Sequence, residues 1–242
     1  MLGNRGQGTG DREQKYERTR VKICGLTNRE DAEEAARLGA DFLGFIGVPD
    51  TPRYVSDPDF VIKIAGKAGF VSSGSVFAET SLVRVVRDLF ETETYQPLQC
   101  CHYIQYYTDT TPWGRFTDSP NLLPAFSIRD EQSLDAIEAE VRRHRIDSSQ
   151  TFALLLDAYH KDKLGGSGET FNWEIAVEAK ERFGLRIILA GGLTPENVSE
   201  AIRRVRPYAV DVSSGVEAEP RRKDWAKLAA FFEAVRQADT AL

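Results

Sequence analysis

Eight short apolar runs, separated by stretches of helical period, leave this chain few ways to fold. The runs are Val21–Cys24, Phe42–Ile46, Ser75–Ala78, Tyr103–Tyr107, Leu123–Ile128, Phe152–Asp157, Arg186–Ala190 and Ala209–Val212. Most are continuously apolar, which suits strands covered on both faces and not a half-exposed antiparallel sheet. Between them, apolar residues recur every three or four positions over Arg29–Leu38, Leu82–Phe90, Glu131–His144, Trp173–Phe183, Pro195–Val205 and Asp224–Gln237. That spacing marks amphipathic helices. Strand alternating with helix builds a parallel sheet, and eight strands favour closure, so the expected fold class is α/β, a (β/α)8 TIM barrel. The pattern breaks between Tyr107 and Leu122, where TDTTPWGRFTDSPN holds two prolines and a glycine. One outer helix is expected to be missing or shortened there.

Local signals refine the boundaries. Thr27 with Glu30 three residues later reads as a capping box, and Thr194 followed by Pro195 places proline where its missing N–H costs nothing. Glycines and serines from Gly66 to Gly74 blur the start of the third strand.

With 242 residues and 41% hydrophobic content, the chain suits a single barrel domain over residues 21–242. Residues 1–20 are glycine-rich and charged and read as a mobile tail. They resemble neither a secretory signal nor a membrane span, and no later run reaches the ~20 apolar residues that a membrane helix needs. The formal net charge of −6 argues against a nucleic-acid or anionic-membrane partner, since phosphate backbones reward clustered positive charge. Three cysteines, two of them adjacent at Cys100 and Cys101, give no disulfide framework and fit a reducing, cytoplasmic setting. His102, His144 and His160 are too scattered for a ligand set, and no HExxH or CxxC occurs, so no metal is expected.

In such a barrel the chemistry lies at the carboxyl ends of the strands. Cys24 ends the first run. Burial habits alone make it a small buried hydrophobe, whereas its place at a strand end suits a base. Asp157 ends FALLLD and is either a structural aspartate capping the next loop or a general acid. Small residues follow three strands: Gly165-Gly166-Ser167-Gly168, Gly191-Gly192, and Ser213-Ser214-Gly215. Their backbone N–H groups suit a phosphate, which barrel enzymes often bind at the seventh and eighth strand ends. Arg53 in Asp50-Thr51-Pro52-Arg53-Tyr54 either lies on the surface or offers its planar fork to a carboxylate. Asp211 either orients a polar side chain inside the barrel or pairs with a basic neighbour.

Taken together, Lys22-Ile23-Cys24-Gly25-Leu26-Thr27, Pro52-Arg53-Tyr54-Val55-Ser56, Gly165 to Gly168 with Phe171-Asn172-Trp173, Gly191 to Val198 and Val210 to Glu217 resemble phosphoribosylanthranilate isomerase over nearly residues 21–237. The resemblance implies an Amadori rearrangement of tryptophan biosynthesis, from N-(5-phosphoribosyl)anthranilate to 1-(2-carboxyphenylamino)-1-deoxyribulose 5-phosphate, without a cofactor, in a monomer or homodimer. It implies Cys24 as base, Asp157 as acid, Arg53 on the anthranilate carboxylate and Asp211 as a supporting polar group. Phosphate would fall to Gly166, Ser167, Gly168, Gly191, Gly192, Ser213, Ser214 and Gly215. The fourth strand departs from the family: Gln105-Tyr106-Tyr107-Thr108 stands where Gln-Leu-His-Gly is common, placing Tyr107, or in another register His102, at the usual histidine. Two other readings are weighed: the histidine-pathway phosphosugar isomerase, which would favour aspartate at position 24, and a non-catalytic phosphate-ligand sensor on the same barrel.

Overall fold

The computed structural model describes residues 18–49, 51–57, 60, 64, 72–77, 103–107, 121–144, 153–159 and 170–242. Eight parallel strands run in chain order: β1 (Arg20–Ile23), β2 (Phe42–Ile46), β3 (Ser72–Phe77), β4 (Tyr103–Tyr107), β5 (Asn121–Ile128), β6 (Leu154–Ala158), β7 (Ile187–Leu189) and β8 (Ala209–Val212). Each pairs with the next, and β8 pairs back to β1 with Lys22 opposite Asp211, so the sheet curls until its edges meet. Closure leaves no strand edge unpaired. The described helices are α1 (Arg29–Leu38), α2 (Ser133–His144), α3 (Glu174–Phe183), α4 (Val198–Val205) and α5 (Trp225–Thr240). The helix expected over Leu82–Phe90 and the break after Tyr107 lie outside the described residues. None of the described helices is long and apolar enough to cross a membrane.

Strand period sorts the core into two sets. Leu43, Leu154, Leu156, Ile187, Leu189 and Val210 pack outward with the helices. Phe42, Tyr103, Leu123, Leu155, Ile188 and Ala209 fill the inside, where the Phe42 and Tyr103 rings meet edge to face at 5.8 Å. Two residues further along the same strand faces come Gly44, Gln105, Asp157 and Asp211, while Lys22 precedes Cys24 on that face of β1. The floor of the barrel is therefore apolar and its carboxyl end polar.

Several boundaries move for physical reasons. The third strand begins at Ser72 instead of Ser75, because Phe42 to Ile46 of β2 fix its register from Ser72 to Val76. Position 27 does not cap α1: Asn28 does, accepting from Asp31 N at 2.8 Å, while Thr27 Oγ1 donates to Arg221 O at 2.7 Å. Pro195 lies in a turn ahead of α4, whose first residue is Val198. Thr194 N donates to Asn197 Oδ1 at 2.8 Å, and Asn197 Nδ2 to Gly192 O at 2.9 Å, so the asparagine braces the preceding glycine turn. A charged hairpin, β9 (Glu217–Glu219) with β10 (Arg222–Lys223), follows β8 and was not foreseen.

Candidate active site

Cys24 directly follows β1 and is 7% exposed. Its backbone is fixed by Cys24 N donating to Val212 O at 2.9 Å. The sulfur has room because Gly44 stands opposite: a Cβ at Gly44 would come within 2.9 Å of Cys24 Sγ and 3.1 Å of Lys22 Nζ. Any larger residue there would displace both groups. Lys22 Nζ donates to Asp211 Oδ2 at 2.8 Å in a fully buried pair, and Asp211 Oδ1 has no hydrogen-bond partner among the described residues. Removing one member of such a pair typically costs about 3–5 kcal/mol, because the other charge stays buried. Of the two roles open to Asp211, the structure shows pairing with a basic neighbour. That neighbour is Lys22, which the sequence placed in the first motif without a role of its own.

Charge around the sulfur is opposed by burial. Burial pushes the Cys24 thiol up and Asp211 adds to that, while Lys22 and Lys223 pull it down, leaving it raised. The Lys22 ammonium is held protonated by Asp211, with a raised pKa despite its burial.

Arg53 is brought to the same place. It crosses Gly25, whose φ of +71° tolerates only a residue without Cβ cheaply, and a Cβ there would meet Arg53 Cδ at 2.4 Å and Ser213 Oγ at 2.7 Å. The guanidinium is not on the surface: its Nε and Nη2 donate to Glu217 Oε1 and Oε2 at 2.8 and 2.6 Å. Nη1 takes no part in either bond. Burial works against the charge of Arg53, but the Glu217 bonds dominate and raise its pKa. Glu217 and Lys223, which complete this cluster, were missed because EAEPRRK reads as an ordinary charged loop.

Asp157 lies on the inner face of β6 and is 8% exposed. It stands three strands from β1 around the ring, in the order β6, β7, β8, β1, at the same mouth. Its neighbour Ala158 touches the seventh-strand loop, where a Cβ on Gly191 would meet Ala158 N at 2.3 Å. Gly191 and Gly192 both take positive φ, +85° and +63°. The eighth-strand loop abuts the same turn, since a Cβ on Gly215 would fall 1.9 Å from Leu193 O. Gly191, Gly192, Ser213, Ser214 and Gly215 thus lie together, and Ser213 Oγ is buried without a hydrogen-bond partner among the described residues. Gly166, Ser167, Gly168 and His160 lie outside the described residues. Gln105 is buried with Oε1 unpartnered among the described residues, and Tyr107 ends β4.

The contact at Gly215 gives a stability test. Gly215→Ala should lower the unfolding free energy by about 1–3 kcal/mol, because the methyl group meets a backbone carbonyl that cannot swing away. A urea midpoint equal to that of the wild type would show that the two loops are not in contact.

A protein of Geobacter metallireducens named N-(5'-phosphoribosyl)anthranilate isomerase is 42% identical over 212 residues, covering 88% of this chain and 96% of its own length. The chain belongs to the phosphoribosylanthranilate isomerase family. The family model for N-(5'phosphoribosyl)anthranilate (PRA) isomerase matches residues 117–234. The crystal structure of phosphoribosyl anthranilate isomerase from Thermotoga maritima superposes with a TM-score of 0.74 at 31% identity, covering 90% of this chain and 99% of that one. A phosphoribosyl anthranilate isomerase solved in complex with reduced 1-(o-carboxyphenylamino)-1-deoxyribulose 5-phosphate gives 0.71 at 28% identity, with 90% and 99% covered. Cys24, Asp157 and the turns at Gly191–Gly192 and Ser213–Gly215 lie at one mouth of this barrel.

Proposed function

We propose that this chain catalyses the Amadori rearrangement of N-(5-phosphoribosyl)anthranilate to 1-(2-carboxyphenylamino)-1-deoxyribulose 5-phosphate, on a complete (β/α)8 barrel formed by residues 21–242 as one domain. Asp157 protonates the ribose ring oxygen as the bond from C1 to that oxygen breaks, and the anilino nitrogen supplies the electron pair that forms the C=N bond. Cys24, as thiolate, then removes the C2 proton; the C2–H electrons form C1=C2 and the iminium nitrogen recovers its pair. The resulting enolamine tautomerises to the ketone. Electrons move from C2 to C1 within one molecule, so the balance closes without an external oxidant or reductant.

The observation that carries the reading is the position of Cys24: a buried sulfur at a strand end, in a gap kept by Gly44 and facing Lys22. A cysteine serving only as core filler has no use for an adjacent ammonium. Arg53 Nη1 takes the anthranilate carboxylate, and Asp211 acts by holding Lys22. The loops at Gly166–Gly168, Gly191–Gly192 and Ser213–Gly215 take the phosphate through backbone N–H groups and serine hydroxyls. The protein is proposed to work in the cytoplasm, as a monomer or homodimer, on this small phosphoribosyl substrate.

Freshly generated phosphoribosylanthranilate gives the direct test, by the loss of its fluorescence over spontaneous decay. Turnover well above decay is expected. No turnover would overturn the reading and point to the histidine-pathway substrate or, if ligand still binds, to a sensor.

A further inference from the structure

The hairpin after β8 is exposed over residues 218–222, but its two ends, Glu217 and Lys223, are buried beside Cys24 and Arg53. Lys223 on β10 is buried, and its ammonium spends all three of its N–H donors. It donates to Cys24 O at 2.8 Å, to Ser213 O at 2.9 Å and to Glu217 Oε1 at 3.3 Å. Cys24 follows β1 and Ser213 follows β8, so one ammonium sets the spacing of two strand exits that both face the proposed substrate. The hairpin itself is fixed at its base, where Asp31 of α1 accepts Lys223 N at 2.8 Å and Trp225 Nε1 at 3.0 Å.

Burying a cation is expensive unless it is paired and fully bonded. A surface turn needs no such group. Burial pulls the Lys223 pKa down and Arg53 adds to that, while Glu217 and the Cys24 sulfur push it up. The charged groups acting on Cys24 are Lys22 on β1, Asp211 on β8, Arg53 after β2 and Lys223 on β10, and Glu217 on β9 joins the cluster through its ion pairs with Arg53 and Lys223. Three are cations and two are carboxylates, so the cluster carries one positive charge in excess. Without Lys223, Glu217 would cancel Arg53, Asp211 would cancel Lys22, and no excess would remain.

We propose that Lys223 is a positioning residue of the isomerase site: it pins the Cys24 backbone and supplies the uncompensated positive charge that the Cys24 thiolate neutralises. This rests on the role of Cys24 given above. It also gives Glu217 a purpose, to lock Arg53 with Nη1 outward, while Lys223 offsets the negative charge that this brings beside the thiolate.

The test follows the ionisation of Cys24 without substrate. The rate of iodoacetamide labelling is measured against pH, with the Cys24 peptide read by mass so that Cys100 and Cys101 do not interfere. Lys223→Met should move the labelling curve to higher pH, and Lys223→Arg should restore much of it. Glu217→Gln should move the curve the other way, to lower pH, which decides the sign even if Lys223→Met fails to fold. In turnover, Lys223→Met should lower kcat roughly ten- to a hundredfold, the range for losing hydrogen bonds from a charged group, with KM near that of the wild type. A folded Lys223→Met variant with an unshifted curve, or a Glu217→Gln curve that is unshifted or moves to higher pH, would overturn the proposal. If the curves shift as stated but the wild type does not turn over phosphoribosylanthranilate, the substrate assignment fails and the charge arrangement stands.

Discussion

Cys24→Ala is expected to lower turnover of phosphoribosylanthranilate by roughly a hundred- to ten-thousandfold, the span a positioned general base contributes. The loss should fall on kcat, with ligand binding retained. The site is built to survive removal of the sulfur: position 24 is held through its own N–H to Val212 O and through its carbonyl to Lys223 Nζ, and alanine keeps both. Arg53, which meets the carboxylate in the proposed mechanism, is anchored by Glu217 and not by the thiol. A variant that binds a product analogue as tightly as the wild type and yet does not turn over would separate chemistry from recognition. Near-normal turnover would end the assignment of Cys24 as base. The pH profile supplies a second check. Because burial leaves the thiol raised, the thiolate fraction grows as pH increases, so wild-type kcat/KM should climb from neutral into mildly alkaline solution until another group titrates. A profile already flat from pH 6 upward would mean that the thiolate is not the limiting base.

How much of this was legible in the sequence depends on whether the signal was local. The helix at Arg29–Leu38 was legible from its periodicity alone, and in the structure Gly39 stops it in a left-handed turn, with φ of +103°. Cys24 and Asp157 stood out because a polar or reactive group at the end of an apolar run has to be explained, and Asp211 because a carboxylate inside an apolar strand needs a partner. The residues that complete the site are set by distant partners. Lys22 and Asp211 are 189 positions apart, and only the pairing of β1 with β8 makes them neighbours. Arg53 and Glu217 are 164 apart, so the fork was anticipated as a binding group and its lock was not. Gly44 resembled any small strand residue until the sulfur was found opposite it. The capping box at Thr27 failed for a related reason: Arg221 O, contributed by the hairpin, takes the hydroxyl that the local pattern assigned to the helix. Short charged segments such as 217–223 carry no periodicity to read, and their structure comes from the buried partners they reach.

Asp157→Asn should be as damaging as loss of the thiol, roughly a hundred- to ten-thousandfold in kcat, for a different step. Asparagine nearly matches aspartate in shape, and position 157 sits in a strand bonded on both sides, so the fold and the adjoining turn at Gly191 should be undisturbed. What asparagine lacks is a transferable proton. Ring opening would then have to expel an alkoxide from C1 without help, and the reaction would stall before any C2 proton becomes acidic. Under identical conditions the variant's progress curve should approach spontaneous decay of the substrate, while its melting temperature and its affinity for a product analogue stay close to wild type. The double variant decides whether the two residues serve one sequence of steps. Groups acting as a unit are strongly non-additive, so Cys24→Ala combined with Asp157→Asn should be about as slow as the slower single variant. If the losses instead multiplied, Cys24 and Asp157 would be acting independently, and the acid-then-base order would have to be abandoned even with both residues essential.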